Sequence, residues 1–173
     1  MNSRDVKAMR ANLIGPVWLV AAMLVVPVRD SVSIDLHRMW DDRCFECHGH
    51  SAEFARRSLR VSGDQLQGRH HVDDLRLFLS NHYLSVSETD AVYEMLLAQA
   101  NGFARFKDDC SNCHKTAADF ARRSLEFRNG VLYGRKSGEP VRNFLSHHRG
   151  LNGDDVEFFE GVLTRVGNEV YRP

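Results

Sequence analysis

Apolar positions along this chain fall into two regimes. From Ala11 to Val28 they form a nearly unbroken run, interrupted only by Asn12, Gly15, Pro16 and Pro27. Beyond Ser31 they recur at helical spacing. Leu75, Phe78, Leu79 and His82 run i, i+3, i+4, i+7, and Val141, Phe144, Leu145 and His148 repeat the run. That period predicts amphipathic helices, starting near Val72 and near Pro140, with Asp73, Asp74 and Glu139 at the N-terminal end that favours acids. A last helix is predicted after Ser85, with stripe Val92, Leu96 and Leu97. Its counterpart follows Asn152, with stripe Phe158, Val162 and Leu163. Ser85 with Glu88 has the form of a capping box, and Asn152 with Asp155 is a weaker version. Asn129-Gly130, between Leu125-Glu126-Phe127 and Val131-Leu132-Tyr133, predicts a hairpin, and Gly63-Asp64 holds the same place earlier. The fold class expected is mainly α, with a short β-hairpin in each of two small helical modules that follow an N-terminal hydrophobic helix.

The two modules are copies. Phe54-Ala55-Arg56-Arg57-Ser58-Leu59 returns as Phe120-Ala121-Arg122-Arg123-Ser124-Leu125. At the same offset Leu66, Gly68 and Arg69 match Leu132, Gly134 and Arg135, and Arg76, Phe78, Leu79, Ser80 and His82 match Arg142, Phe144, Leu145, Ser146 and His148. No gap is needed. The expected organisation is a signal peptide or anchor over 1–30, a first module over 31–100 and a second over 101–173, packed closely because no Pro/Gly/Ser-rich linker divides them.

Arg4, Lys7 and Arg10 against Asp5 give the apolar run a basic flank, the mark of an export signal or an N-terminal anchor. No small-x-small cleavage site follows, which favours an anchor. The positive-inside rule then leaves the chain beyond about Arg29 outside the cytoplasm. The whole chain carries 23 basic and 23 acidic residues. Setting aside the three basic residues and one acid of 1–28 leaves 20 against 22, a slightly acidic body. Nothing in that balance suggests nucleic acid as a partner.

All four cysteines stand in two motifs, Cys44-Phe45-Glu46-Cys47-His48 and Cys110-Ser111-Asn112-Cys113-His114. C-x-x-C-H is the attachment pattern for c-type haem: two thiols one helical turn apart reach the two vinyl groups of a porphyrin, and the adjacent imidazole reaches the iron. Three alternatives fit less well. Zinc gains little from a His directly after the second Cys, a thioredoxin-like pair expects a βαβ setting, and a disulfide within C-x-x-C leaves the repeated His without a purpose. The residues expected to hold two haems are Cys44, Cys47, Cys110 and Cys113 by thioether, with His48 and His114 as proximal iron ligands.

These motifs resemble the c-type cytochromes, specifically a dihaem cytochrome c made by duplication. The resemblance covers about Ser31 to the C-terminus. It implies an electron carrier rather than an enzyme, with redox proteins as donor and acceptor, or membership of a membrane complex. The place implied is the periplasmic side of a bacterial inner membrane. In the family an aromatic-bearing helix before the motif packs on the final helix, and Trp40 with Tyr93, and Phe106 with Phe159, are candidates for that contact.

The sixth ligand departs from the family's usual methionine. The second module contains no Met, and Met95 reads as core, with Gly161 at its position in the other copy. His82 and His148 each lie 34 residues after the proximal His, on the apolar face of a helix. They are the expected distal ligands. His147 is the nearest rival, about 100° away round the helix; His70 and His71 could serve the first module alone; His37 and His50 read as solvated. Two imidazoles give a low-spin, closed iron of lower potential than His/Met ligation. Arg56-Arg57 and Arg122-Arg123 could face haem propionates or solvent. The competing function is a haem enzyme or gas sensor with one open distal site.

Overall fold

A computed structural model describes residues 34–70, 75–102 and 104–172. Residues 31–173 form one compact unit holding both repeats. The expected N-terminal anchor lies outside the described residues, and among those described no helix is long and apolar enough to cross a membrane.

The first repeat runs α1 (Leu36–Arg43), α2 (Phe45–His48), α3 (Ser51–Ser58), β1 (Leu59–Ser62), β2 (Gln65–Gly68), α4 (Leu75–Ser80) and α5 (Val86–Asn101). The second runs α6 (Arg105–His114), α7 (Ala117–Ser124), β3 (Leu125–Arg128), β4 (Val131–Gly134), α8 (Val141–Ser146) and α9 (Gly153–Val170). The fold is mainly helical, with two antiparallel two-stranded sheets, as expected.

The turn chemistry acts as the sequence predicts. Asn129 and Gly130 both take positive φ, 50° and 79°, as the hairpin between β3 and β4 requires. Between β1 and β2 only Gly63, at φ 61°, does so. Both final helices open on complete capping boxes, Ser85 with Glu88 and Asn152 with Asp155. α8 begins directly after Pro140; the start expected near Val72 falls outside the described residues.

Two features differ from the sequence reading. First, the repeated Phe-Ala-Arg-Arg-Ser segment is itself a helix, α3 and α7, which the apolar periodicity did not predict. Its inward alanines, Ala55 and Ala121, are fully buried, so the helix sits flat on the core. Second, the repeats slip by one residue in the final helix. His82 and His148 are 66 apart, but the N-caps Ser85 and Asn152 are 67 apart. The extra residue sits in the turn after His148, where both Arg149 and Gly150 have positive φ; in the first copy Tyr83 alone does. Burial follows the new register, pairing Val92 with Phe159 and Leu96 with Leu163. The ungapped pairings of Tyr93 with Phe159 and Met95 with Gly161 are therefore corrected to Val92 with Phe159 and Met95 with Val162.

Each repeat has its own apolar core. The first gathers Leu36, Trp40, Leu66, Val92, Met95 and Leu96; the second gathers Leu132, Val141, Leu145, Phe159, Leu163 and Val166. Full burial of such side chains stabilises by ~1.5–3 kcal/mol each. Polar ties set the registers of the elements. The Leu66 backbone N–H donates to the Tyr93 hydroxyl at 2.8 Å. The Tyr171 hydroxyl donates to the Ala121 carbonyl at 2.9 Å, holding the end of α9 on α7.

The repeats meet where α1 packs on α9. Ile34 and Arg172 form a backbone bridge. Arg122 donates from Nε and Nη2 to both carboxylate oxygens of Asp35, at 2.5 and 2.9 Å. His37 Nε2 lies 2.7 Å from Glu169 Oε2. His37, expected to be solvated, is instead a partner in this seam, because the docking of α9 brings a buried carboxylate to it.

Candidate functional site

The two C-x-x-C-H motifs occupy helical turns. In the first copy Cys47 and His48 donate their backbone N–H groups to the Cys44 carbonyl, at 3.2 and 2.9 Å. This one turn carries both thiols and the imidazole. In the second copy α6 continues unbroken to His114. The chain then swings away in both, through positive φ at Gly49 (67°) and Lys115 (49°). Cys44 and Cys110 are half-buried, Cys47 and Cys113 exposed, and all four thiols are free. Burial pushes the Cys44 and Cys110 thiols above their ordinary pKa.

Each motif imidazole packs on the repeated phenylalanine of the next helix. Ring centroids are 4.6 Å apart for His48 and Phe54, and 4.4 Å for His114 and Phe120. In the first copy Trp40 adds a second wall, 6.0 Å from His48. Its indole donates to the Gly49 carbonyl at 2.8 Å, which pins the turn behind the imidazole. The matching of Phe54 with Phe120 was visible in the repeat; its role against the imidazole was not.

His82 and His148 face these imidazoles from the other side. They do not lie on the helices themselves, as their spacing suggests: α4 ends at Ser80 and α8 at Ser146, so both histidines lie just beyond a helix. Tight bonds from His82 N to the Leu79 carbonyl and from His148 N to the Leu145 carbonyl, both 3.0 Å, extend the coil by a 3₁₀-like turn. This keeps the rings on the apolar side. Phe78 and Phe144 stack on them, each at 4.8 Å.

The facing pairs are closely alike. His48 and His82 have ring centroids 5.9 Å apart at 61°, and His114 and His148 are 6.2 Å apart at 53°. Two imidazoles binding one metal ion from opposite sides, through nitrogens at about 2 Å, have centroids about 6 Å apart. Burial first, and then the facing imidazole, hold His48 and His114 below the ordinary histidine pKa. They are therefore neutral at physiological pH, with a nitrogen lone pair to offer. In the second repeat a cavity of about 1000 Å³ lies between the motif and the facing imidazole. Cys110, Cys113 and His114 form one wall, His148 the opposite wall, and Phe144 and Leu145 part of the apolar lining. Thiols, paired imidazoles and apolar walls in one cavity fit a covalently bound tetrapyrrole. Among the described residues no three His, Cys, Asp or Glu side chains converge as a metal cluster.

The rival ligands lie elsewhere. His147 is exposed, with Nδ1 3.0 Å from the Asn143 carbonyl. His70 is exposed and His71 lies outside the described residues. His50 is exposed, edge-on to Phe45. Met95 is buried in the first core. Of the paired arginines, Arg122 is committed to Asp35, and Arg57 to Glu53 at 3.2 Å. Arg123 donates to the Asp119 carbonyl at 3.2 Å, and Arg56 is exposed.

Comparison with protein-family models, with curated proteins and with solved structures finds no match to this chain.

Proposed function

We propose that the chain is a dihaem c-type cytochrome that carries single electrons between redox partners on the periplasmic side of a bacterial inner membrane, tethered there by residues 1–30. The observation that carries this reading is the twofold facing of a C-x-x-C-H histidine with a second histidine at the same register, at near-identical separation. In this reading Cys44 and Cys47 hold one haem through thioethers, with His48 and His82 as its axial ligands. Cys110 and Cys113 hold the other, with His114 and His148. When bound, the iron supplies a reversible one-electron change.

The protein's own part is orientation and exclusion. Phe54 and Phe120 fix the proximal rings, and Phe78 and Phe144 the distal ones. In the second repeat Val141, Leu145 and Phe159 line the cavity with apolar groups. An imidazole on each side of the bound group would leave its iron no open place, which favours electron transfer over chemistry at an open iron.

Mass spectrometry of protein expressed with a haem-attachment system tests the reading: two covalent haems are expected, none in a variant lacking all four cysteines. Carbon monoxide added to the reduced protein should leave its absorption spectrum unchanged; a large shift would favour the open-site alternative.

A further inference from the structure

The duplication contains its own comparison, and it isolates one surface. Three large apolar side chains beside the first motif lie open to solvent: Phe45 (43% exposed), Tyr83 (84%) and Val86 (87%). Phe45 sits between the two motif cysteines, Tyr83 touches the His82 ring edge-on at 5.1 Å, and Val86 opens α5. Arg43 ties them together: it precedes Cys44, donates to the Tyr83 carbonyl and pairs with Glu88. The second repeat holds Ser111, Arg149 and Gly153 at these places. The second copy therefore folds without the apolar groups, with one residue more in the turn after its histidine, so folding does not demand them. An exposed apolar cluster retained in only one copy marks a contact surface.

Charge says what it meets. Asp42 and Glu46, one turn apart and flanking Phe45, are exposed and form no ion pair among the described residues. Arg43, the nearest cation, is neutralised by Glu88. The rim is thus acidic, which repels anionic lipid and selects a positively charged partner.

The geometry points to this face of the first repeat as the docking site for a redox protein whose contact surface is apolar with a basic rim, so that electrons pass to and from partners through the first haem rather than the second. This rests on the dihaem reading above. Tyr83, in contact with His82, puts the partner within one aromatic ring of the iron's ligand.

The test uses the full-length holoprotein and the variant Phe45→Ser/Tyr83→Asn/Val86→Ser. Asn tolerates the positive φ of 58° at position 83. The reduced protein is mixed with oxidised mitochondrial cytochrome c as a basic probe, and separately with ferricyanide, which needs no docking face. The expected result is a second-order rate to the basic probe slowed on the order of tenfold, with the ferricyanide rate and both haem spectra unchanged. A second variant, Asp42→Asn/Glu46→Gln, should flatten the salt dependence of the rate. Equal rates for wild type and the apolar variant would overturn the proposal. So would self-association, or binding to neutral lipid vesicles, that the apolar variant abolishes, since either would give the face a different occupant. A chain without covalent haem would instead sink the reading beneath it, and the haem spectra report that independently.

Discussion

The seam between the repeats should behave as a measurable energetic unit, and Asp35–Arg122 is the place to probe it. Asp35 does two jobs. Its carboxylate caps α1, accepting from the Arg38 backbone N–H at 3.0 Å, and it receives the Arg122 guanidinium in a two-bond fork. Both side chains are 20% exposed. That lies between exposed pairs, worth ~0–1 kcal/mol, and buried pairs, whose disruption costs ~3–5 kcal/mol. About 1–2 kcal/mol is the expectation for Asp35→Asn, which keeps a good cap but loses the charge. Asp35→Ala should cost about 1 kcal/mol more, because the cap goes too. For a unit of this size 1–2 kcal/mol lowers Tm by roughly 3–6 °C. Burial tends to raise the Asp35 pKa, but Arg122 and the Arg38 N–H outweigh it and hold the carboxyl below its ordinary value. The pair's contribution should therefore be full above about pH 4 and fade as pH falls through the lowered folded value. The assay is a double-mutant cycle of Asp35→Asn with Arg122→Met, by urea unfolding of the holoprotein at pH 7 and pH 3. Additivity within about 0.5 kcal/mol, or the same coupling at both pH values, would refute the reasoning.

Other expectations follow from single contacts. His82→Ala and His148→Ala should each turn one haem high-spin in electron paramagnetic resonance with attachment intact, while His147→Ala, whose ring is turned to the Asn143 carbonyl, should leave the spectrum unaltered. Glu88 is held at about pKa 2 by Arg43 and the Ser85 backbone, against an ordinary value of 4.5. Its stabilising contribution should be present above pH 4.5 and lost as pH falls toward 2; Glu88→Gln should remove that part of the acid transition, on the order of 1 kcal/mol, since Arg43 is partly exposed. Trp40→Phe leaves the Gly49 carbonyl without its donor, and thermal unfolding should show a loss of about 1 kcal/mol or more.

Much of this molecule was legible along the chain. Local chemistry fixes the hairpin turns and the capping boxes, since Asn129-Gly130 and Ser85–Glu88 need only their neighbours to act. The duplication exposed the facing of His82 with His48 without any structure, because two copies seldom keep a histidine at one register by accident of packing. The helix built on Phe-Ala-Arg-Arg-Ser was not legible: eight residues are too few to be helical by propensity, and α3 and α7 exist because Ala55 and Ala121 fit flat on a core built by distant residues.

What the sequence determined by itself is therefore the set of groups and their spacing: two thiol pairs, the two imidazoles beside them and the two that face these, and the elements carrying them. Tertiary structure alone decided how long-range contacts spend the remaining charges. Arg122 turned from solvent to Asp35, and His37 to Glu169, because the packing of α1 on α9 brought partly buried polar groups together across 87 and 132 residues. No local pattern encodes a contact of that reach. It arises when two apolar faces dock and the desolvated charges between them must find partners.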